Sequence, residues 1–168
     1  MRKLSESVWV DIHKRSTKEF DRRENLPGNM SELKPVDMGV SVLWADQDFI
    51  MDDNAYFTYN DLQEYLNDTP WRIPTESEVV ELEDNCIVDS DKDSIWVAYG
   101  QNKLVFERMG YYDSNGILES PSYYYGWTST SGTMSNFKHI YIIDGVNIRY
   151  FSKRSGYDKL PVRLVKSK

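Results

Sequence analysis

The sequence predicts an α+β domain, and three observations carry that prediction. Pro74-Thr75-Glu76-Ser77-Glu78 sets a Thr three residues before a Glu, the capping-box spacing that opens a helix. Further along, short β-branched and aromatic runs alternate with Asp113-Ser114-Asn115-Gly116 and Asp144-Gly145, the turn chemistry of antiparallel strands. Finally, 168 residues of which 40% are hydrophobic suffice for one ordinary core with an appendage. The expected architecture is a twisted antiparallel sheet with two short helices and long loops over residues 35–168, preceded by an extended arm over residues 1–34.

The arm contains Val8-Trp9-Val10-Asp11-Ile12, where Val8, Val10 and Ile12 alternate with Trp9 and Asp11 in a strand-like way. A charged run from Lys14 to Glu24 follows, and Leu26-Pro27-Gly28-Asn29-Met30 acts as a breaker. Five residues make no core, so this segment is read either as an anchor that orders on a partner, with Val8, Trp9, Val10 and Ile12 as its apolar contacts, or as a disordered tail. Val36 to Ala45 reads as an early strand, with Gly39 permitting a turn or a close backbone approach. Thr58 to Asn67 reads as a short helix capped by Thr58 or Asn60, with Leu62, Tyr65 and Leu66 on one face. The capping-box helix follows, with Val79, Val80 and Leu82 as its apolar face. Strands are then expected at Ser94–Tyr99, Lys103–Glu107 and Phe137–Ile143. Val146–Phe151 should pair with the strand ending at Ile143, and Leu160–Val165 closes the domain.

Composition excludes several classes of function. The net charge is −7, whereas binding phosphate backbones needs clustered Lys and Arg, so no nucleic-acid partner is expected. Residues 1–25 carry seven basic and five acidic groups and are mildly basic within an acidic chain. The lone Cys86 excludes an intrachain disulfide and a Cys-rich metal site, and is read as a buried apolar residue. Met1 to Ser7 lacks a following apolar stretch, so no signal peptide is predicted, and no run reaches the ~20 apolar residues of a membrane span. Asp46-Gln47-Asp48 with Asp52-Asp53-Asn54, and Asp89-Ser90-Asp91-Lys92-Asp93, place oxygens at short spacing, but neither has the EF-hand pattern. Asp91 to Ser94 is read as a solvated turn, and neither a metal nor a cofactor is expected.

Four segments stand in fixed order: Val36-Asp37-Met38-Gly39-Val40-Ser41-Val42-Leu43-Trp44-Ala45, then Trp71-Arg72-Ile73-Pro74-Thr75, then Gly126-Trp127-Thr128-Ser129-Thr130, then Pro161-Val162-Arg163. Together they resemble the Fibrobacter succinogenes major paralogous domain, a branch of the C-type-lectin-like fold shared with phage tropism determinants and formylglycine-generating enzymes. The arm is similar, over some twenty residues, to N-terminal leaders of structural proteins in phages of Bacteroides. The resemblance implies a display scaffold whose function sits in its loops. It makes Trp71, Arg72, Trp127 and Arg163 framework residues, the arginines paired with carboxylates or carbonyls inside the fold. Enzymatic relatives on this scaffold use cysteine pairs, metal-bound cysteines or histidine-bound iron. With one Cys, and only His13 and His139 as histidines, neither arrangement can be assembled, so no enzyme is expected.

The resemblance places a variable ligand face around residues 122–154. That stretch holds Tyr123, Tyr124, Tyr125, Asn136, His139, Asn147, Arg149 and Tyr150, whose flat rings and adaptable polar groups suit a glycan or protein receptor. The competing reading puts Trp127, and with it Tyr125, in the core; for Trp127 that reading is preferred. The expected function is a non-enzymatic virion surface or fibre protein that binds a host glycan or protein receptor. The arm would join it to other virion proteins as a homo- or hetero-oligomer, with a trimer suited to a symmetric particle. A purely structural decoration protein and a bacterial surface adhesin are the alternatives.

Overall fold

A computed structural model describes residues 26–168; the proposed anchor Val8, Trp9, Val10 and Ile12 lies outside the described residues. The fold is mixed α+β, with antiparallel sheets and two α-helices. Its strands are β1 (Pro35–Asp37), β2 (Val42–Ala45), β3 (Ile87–Ser90), β4 (Ser94–Tyr99), β5 (Asn102–Glu107), β6 (Tyr111–Tyr112), β7 (Leu118–Glu119), β8 (Tyr124–Ser131), β9 (Phe137–Ile143), β10 (Ile148–Arg154) and β11 (Val165–Ser167). They form three three-stranded sheets, ordered β1-β2-β11, β10-β9-β8 and β3-β4-β5, and a two-stranded ribbon β6-β7. The single sheet expected from sequence is thus split into several.

The sheet β8-β9-β10 separates two cores. Strand alternation sends Tyr124, Tyr141 and Ile143 to one side, where they join Trp44, Val79, Leu82, Ile95, Val97, Leu104 and Phe106. It sends Tyr125, Trp127, Ile140 and Ile142 to the other, against Phe49, Phe57, Tyr59, Leu62 and Leu160. Residues 26–34, grouped with the arm in the sequence reading, pack on this second core: Met30 and Leu33 are buried, and a short 3-10 turn spans Met30–Glu32.

Both helices form where their caps predict. Helix α1 (Tyr59–Leu66) is capped by the Thr58 side chain, which accepts from the Asp61 amide, and buries Leu62. Helix α2 (Glu76–Asn85) carries the complete capping box between Thr75 and Glu78. Its core face is Val79 and Leu82; Val80 is exposed, because one step from Val79 turns ~100° around the helix. Cys86 caps the C-terminal end, half-buried, and burial raises its thiol above the ordinary range.

Elsewhere the expected boundaries shift. Val36–Ala45 is a hairpin instead of one strand, pairing Val36 with Trp44. Gly39 turns it at a φ of 72°, with the Tyr99 ring lying where a Cβ would be, 2.4 Å away. Val146 and Asn147 lie in the turn before β10, which runs on to Arg154. The closing segment is a regular strand only at Val165–Ser167; Leu160 to Leu164 is buried but irregular, and Pro161 cannot donate to a ladder. The sequence reading did not mark β3, β6, β7 or β8 as strands.

The α2 N-terminus is also an electrostatic device. Arg72 Nη1 and Nη2 donate to the two Glu78 carboxylate oxygens at 2.7 and 2.6 Å, and the Thr75 amide donates to Oε1 at 2.8 Å. Burial by itself would raise the Glu78 carboxyl, but Arg72 and Thr75 together outweigh it and hold the group below the usual range. A depressed carboxyl stabilises the fold above its unfolded pKa and loses that contribution as pH falls through the folded value. Glu78→Gln is therefore expected to lower the urea midpoint at pH 7, with the gap to wild type closing as pH falls below about 4. A gap that does not change with pH would show that the charge of Glu78 contributes nothing.

Candidate functional site

The four sequence segments converge in space. Trp44 in β2 sits opposite Val165, and the Arg72 backbone exchanges hydrogen bonds with Val165 at 2.8 and 2.9 Å. The Ser129 amide donates to the Pro74 carbonyl at 2.8 Å, and the Trp127 amide to that of Pro161 at 3.3 Å. Trp71, Trp127 and Arg163 lie inside the fold, as expected of framework residues, and Arg72 does not. Trp71 and Trp127 are buried. Arg163 is buried against Asp48 at 2.8 Å, with its Nη2 donating to the Val105 carbonyl. Arg72 pairs with Glu78 at the protein's edge, half-exposed instead of inside.

The residues expected to form a ligand face do not form one. Tyr124 and Tyr125 are core residues, because the Tyr run opens strand β8, not a loop, and each face of that strand meets a hydrophobic cluster. The Tyr124 hydroxyl donates to Asp48 at 3.0 Å; burial, then the Asp48 charge, pushes it well above the ordinary range. His139 and Tyr150 turn toward α2, where His139 Nδ1 contacts the Glu76 carboxylate and the Tyr150 hydroxyl donates to Glu83 at 3.3 Å. Asn136 lies exposed in the β8–β9 loop, its carbonyl accepting from the Ser155 amide and hydroxyl. Asn147 belongs to the β9–β10 turn, its amide donating to the Asp144 carboxylate at 2.8 Å. Tyr123 and Arg149 do meet on the opposite side of the sheet, the guanidinium carbon 5.7 Å from the ring centre.

A concave site exists elsewhere: an open cleft of about 610 Å³ between three loops. Its first wall comes from a tight turn in which Met51 and Asn54 exchange backbone hydrogen bonds at 2.9 Å, forcing Asp52 and Asp53 to φ values of 51° and 61°. Asp and Asn are among the residues that tolerate this region best. The Asn54 side chain then fixes the Tyr56 backbone through both its oxygen and its nitrogen, at 3.1 and 2.6 Å. Tyr56 donates to the Met109 carbonyl at 2.8 Å, which holds its ring edge-on to Tyr112 with centres 4.8 Å apart. Tyr112 is held in turn by paired backbone bonds to Lys159 at 2.9 Å. The third ring, Tyr157, is 55% exposed, with the Arg154 guanidinium 5.0 Å from its centre.

Polar groups complete the cleft. Asp113 accepts from the Ile117 and Asn115 amides, and the Ile117 amide most of all holds its carboxyl below the usual range. A carboxyl so fixed stays ionised at neutral pH, which suits accepting hydrogen bonds and makes it a poor proton donor. Asp53, Asn54, Ser114 and Lys159 also line the cleft. Flat rings beside fixed acceptors and donors suit a polyhydroxylated ligand, which offers C–H faces and hydroxyls together.

The sequence reading gave these residues other roles: Asp52-Asp53-Asn54 as a weak cation candidate and Asp113 to Gly116 as turn chemistry. The available signal was that both turns adjoin tyrosines, Tyr56 and Tyr112. Among the described residues no cluster of three or more His, Cys, Asp or Glu could hold a metal ion, and no helix is long and apolar enough to cross a membrane. Asp91 makes the expected turn, accepting from the Asp93 and Ser94 amides at 2.8 Å. No family model matches the chain, and neither curated proteins nor solved structures show a match to it.

Proposed function

We propose that this protein is a non-enzymatic surface or fibre protein of a phage particle, whose C-type-lectin-like domain binds a glycan of the host surface through the Tyr56–Tyr112–Tyr157 cleft. The observation that carries the binding reading is this cleft, with three rings and an amide-fixed carboxylate open to solvent. The lectin-like assignment is supported by four ordered segments that meet at one framework. The virion reading draws on the likeness of the leader to phage structural proteins, with the arm as the contact to other virion proteins and a trimer as the expected assembly.

A glycan-array screen of the full chain, displayed multivalently, tests the binding reading. Tyr157→Ala should leave the fold intact, because its ring is largely exposed, and should weaken binding roughly three- to tenfold, the worth of one aromatic contact. Binding that Tyr157→Ala leaves unchanged would remove the cleft from the mechanism.

A second reading, a decoration protein whose loops contact neighbouring subunits, is favoured by Ile117 and Leu118. Both are exposed apolar residues at the β6–β7 hairpin beside the cleft. No glycan binding by folded protein, together with cross-links through residue 117 in assembled particles, would favour it.

A further inference from the structure

On the side of β10 away from α2, strand alternation places Arg149, Phe151 and Lys153 in a row, with Lys138 of β9 directly across from Lys153. Each of the three cations lies over an aromatic ring at the margin of one core. Arg149 is 5.7 Å from the centre of Tyr123, Lys153 4.3 Å from that of Tyr111, and Lys138 4.8 Å from that of Tyr59. Hydrogen bonds fix the lysines further: Lys153 Nζ donates to the Tyr111 hydroxyl at 2.9 Å and Lys138 Nζ to Ser131 Oγ at 3.1 Å. Phe151, between the cations, is 52% exposed. Residues 137–159 hold five Lys or Arg against two Asp, within a chain of net charge −7.

From this row we infer a second carbohydrate-binding face, selective for an acidic polysaccharide whose carboxylates meet Arg149, Lys153 and Lys138 while a sugar ring packs on Phe151. Two lysines directly opposite on paired strands repel one another, a cost that an anion between them removes. Stacking on rings takes water from one side of each cation and leaves the other side to meet a ligand. Arg149 and Lys153 stand ~13 Å apart along the strand, which suits an extended chain better than a compact ion. The acidic groups around the row are Asp144, 3.6 Å from Arg149 Nε, and Asp113 and Asp158, which act on Lys153. An acidic peptide adding as a strand fits less well, because bulky cations along an edge strand oppose such pairing.

The inference rests on the domain being a glycan-binding module, and the test separates the two claims. The 168-residue chain is measured by interferometry against polygalacturonate, dextran and poly-L-glutamate at low and high salt, alongside the glycan array. Polygalacturonate should bind more tightly than dextran and weaken with salt. It should lose at least about tenfold in affinity in the Arg149→Gln/Lys153→Gln variant, and keep it in Tyr157→Ala. Both substitutions lie on an edge strand, at exposed Arg149 and half-buried Lys153, and circular dichroism checks that the variant is folded. Unchanged polygalacturonate binding in the double variant, or tighter binding of poly-L-glutamate, overturns the inference. Tyr157-dependent array binding without any preference for polygalacturonate overturns it too, yet leaves the cleft reading standing. Absence of all carbohydrate binding overturns both.

Discussion

Asp48→Ala is expected to cost about 3–5 kcal/mol of stability, a large part of the ~5–15 kcal/mol available to a domain. The reason is what the substitution strands. Arg163 is 2% exposed, and its Nε donates to Asp48 Oδ1 at 2.8 Å; the Tyr124 hydroxyl reaches the same oxygen at 3.0 Å. Without the carboxylate, a guanidinium stays buried with only the Val105 and Ala45 carbonyls and the Phe106 ring beside it. Asp48→Asn should cost less, since its amide oxygen still accepts from Arg163 and Tyr124. Asp48→Leu combined with Arg163→Met should recover more than half of the loss, because no unpaired charge then remains in the core. Chemical denaturation of the single and double variants measures this cycle. Single substitutions that add without coupling would mean the ion pair is solvated, and the buried network would be ruled out.

That network also marks the limit of what the sequence discloses. Thr75 and Glu78 lie three residues apart, so the capping box, the α2 start and its bond to Arg72 are local chemistry readable in a line of text. The β9–β10 pairing was legible for the same reason: two β-rich runs flank an Asp-Gly turn. Strand β8 was not, because it is buried on both faces at its start and breaks its register after Trp127, which erases the alternation a strand normally shows. Tyr123 to Tyr125 therefore looked like a binding loop. The cleft was less legible still. Tyr56, Tyr112 and Tyr157 come from three segments some fifty residues apart, brought together by long-range bonds: Tyr112 with Lys159, Phe57 with Leu160 and the Tyr56 hydroxyl with Met109. The Arg163 partner was foreseen as a class, carboxylate or carbonyl, but 115 residues separate it from Asp48.

Trp127→Ala should be comparably severe, about 3–5 kcal/mol, while Trp127→Phe should cost roughly 1–3 kcal/mol and stay folded. The indole is fully buried, edge-on to Tyr59 with centres 5.9 Å apart, and its N–H donates to the Phe57 carbonyl at 2.7 Å. Alanine opens a cavity between the central sheet and α1; phenylalanine refills most of it, losing the N–H and the volume of the second ring. The same hydrogen bond reaches the cleft, because Phe57 adjoins Tyr56, whose ring forms its wall. Trp127→Phe should therefore weaken glycan binding at the cleft while leaving polygalacturonate binding on β10 near the wild-type value. Urea unfolding gives the stability difference, and interferometry against an array-positive glycan gives the second readout. Equal loss at both faces would mean that the indole supports the whole sheet and has no particular link to the Tyr56 wall.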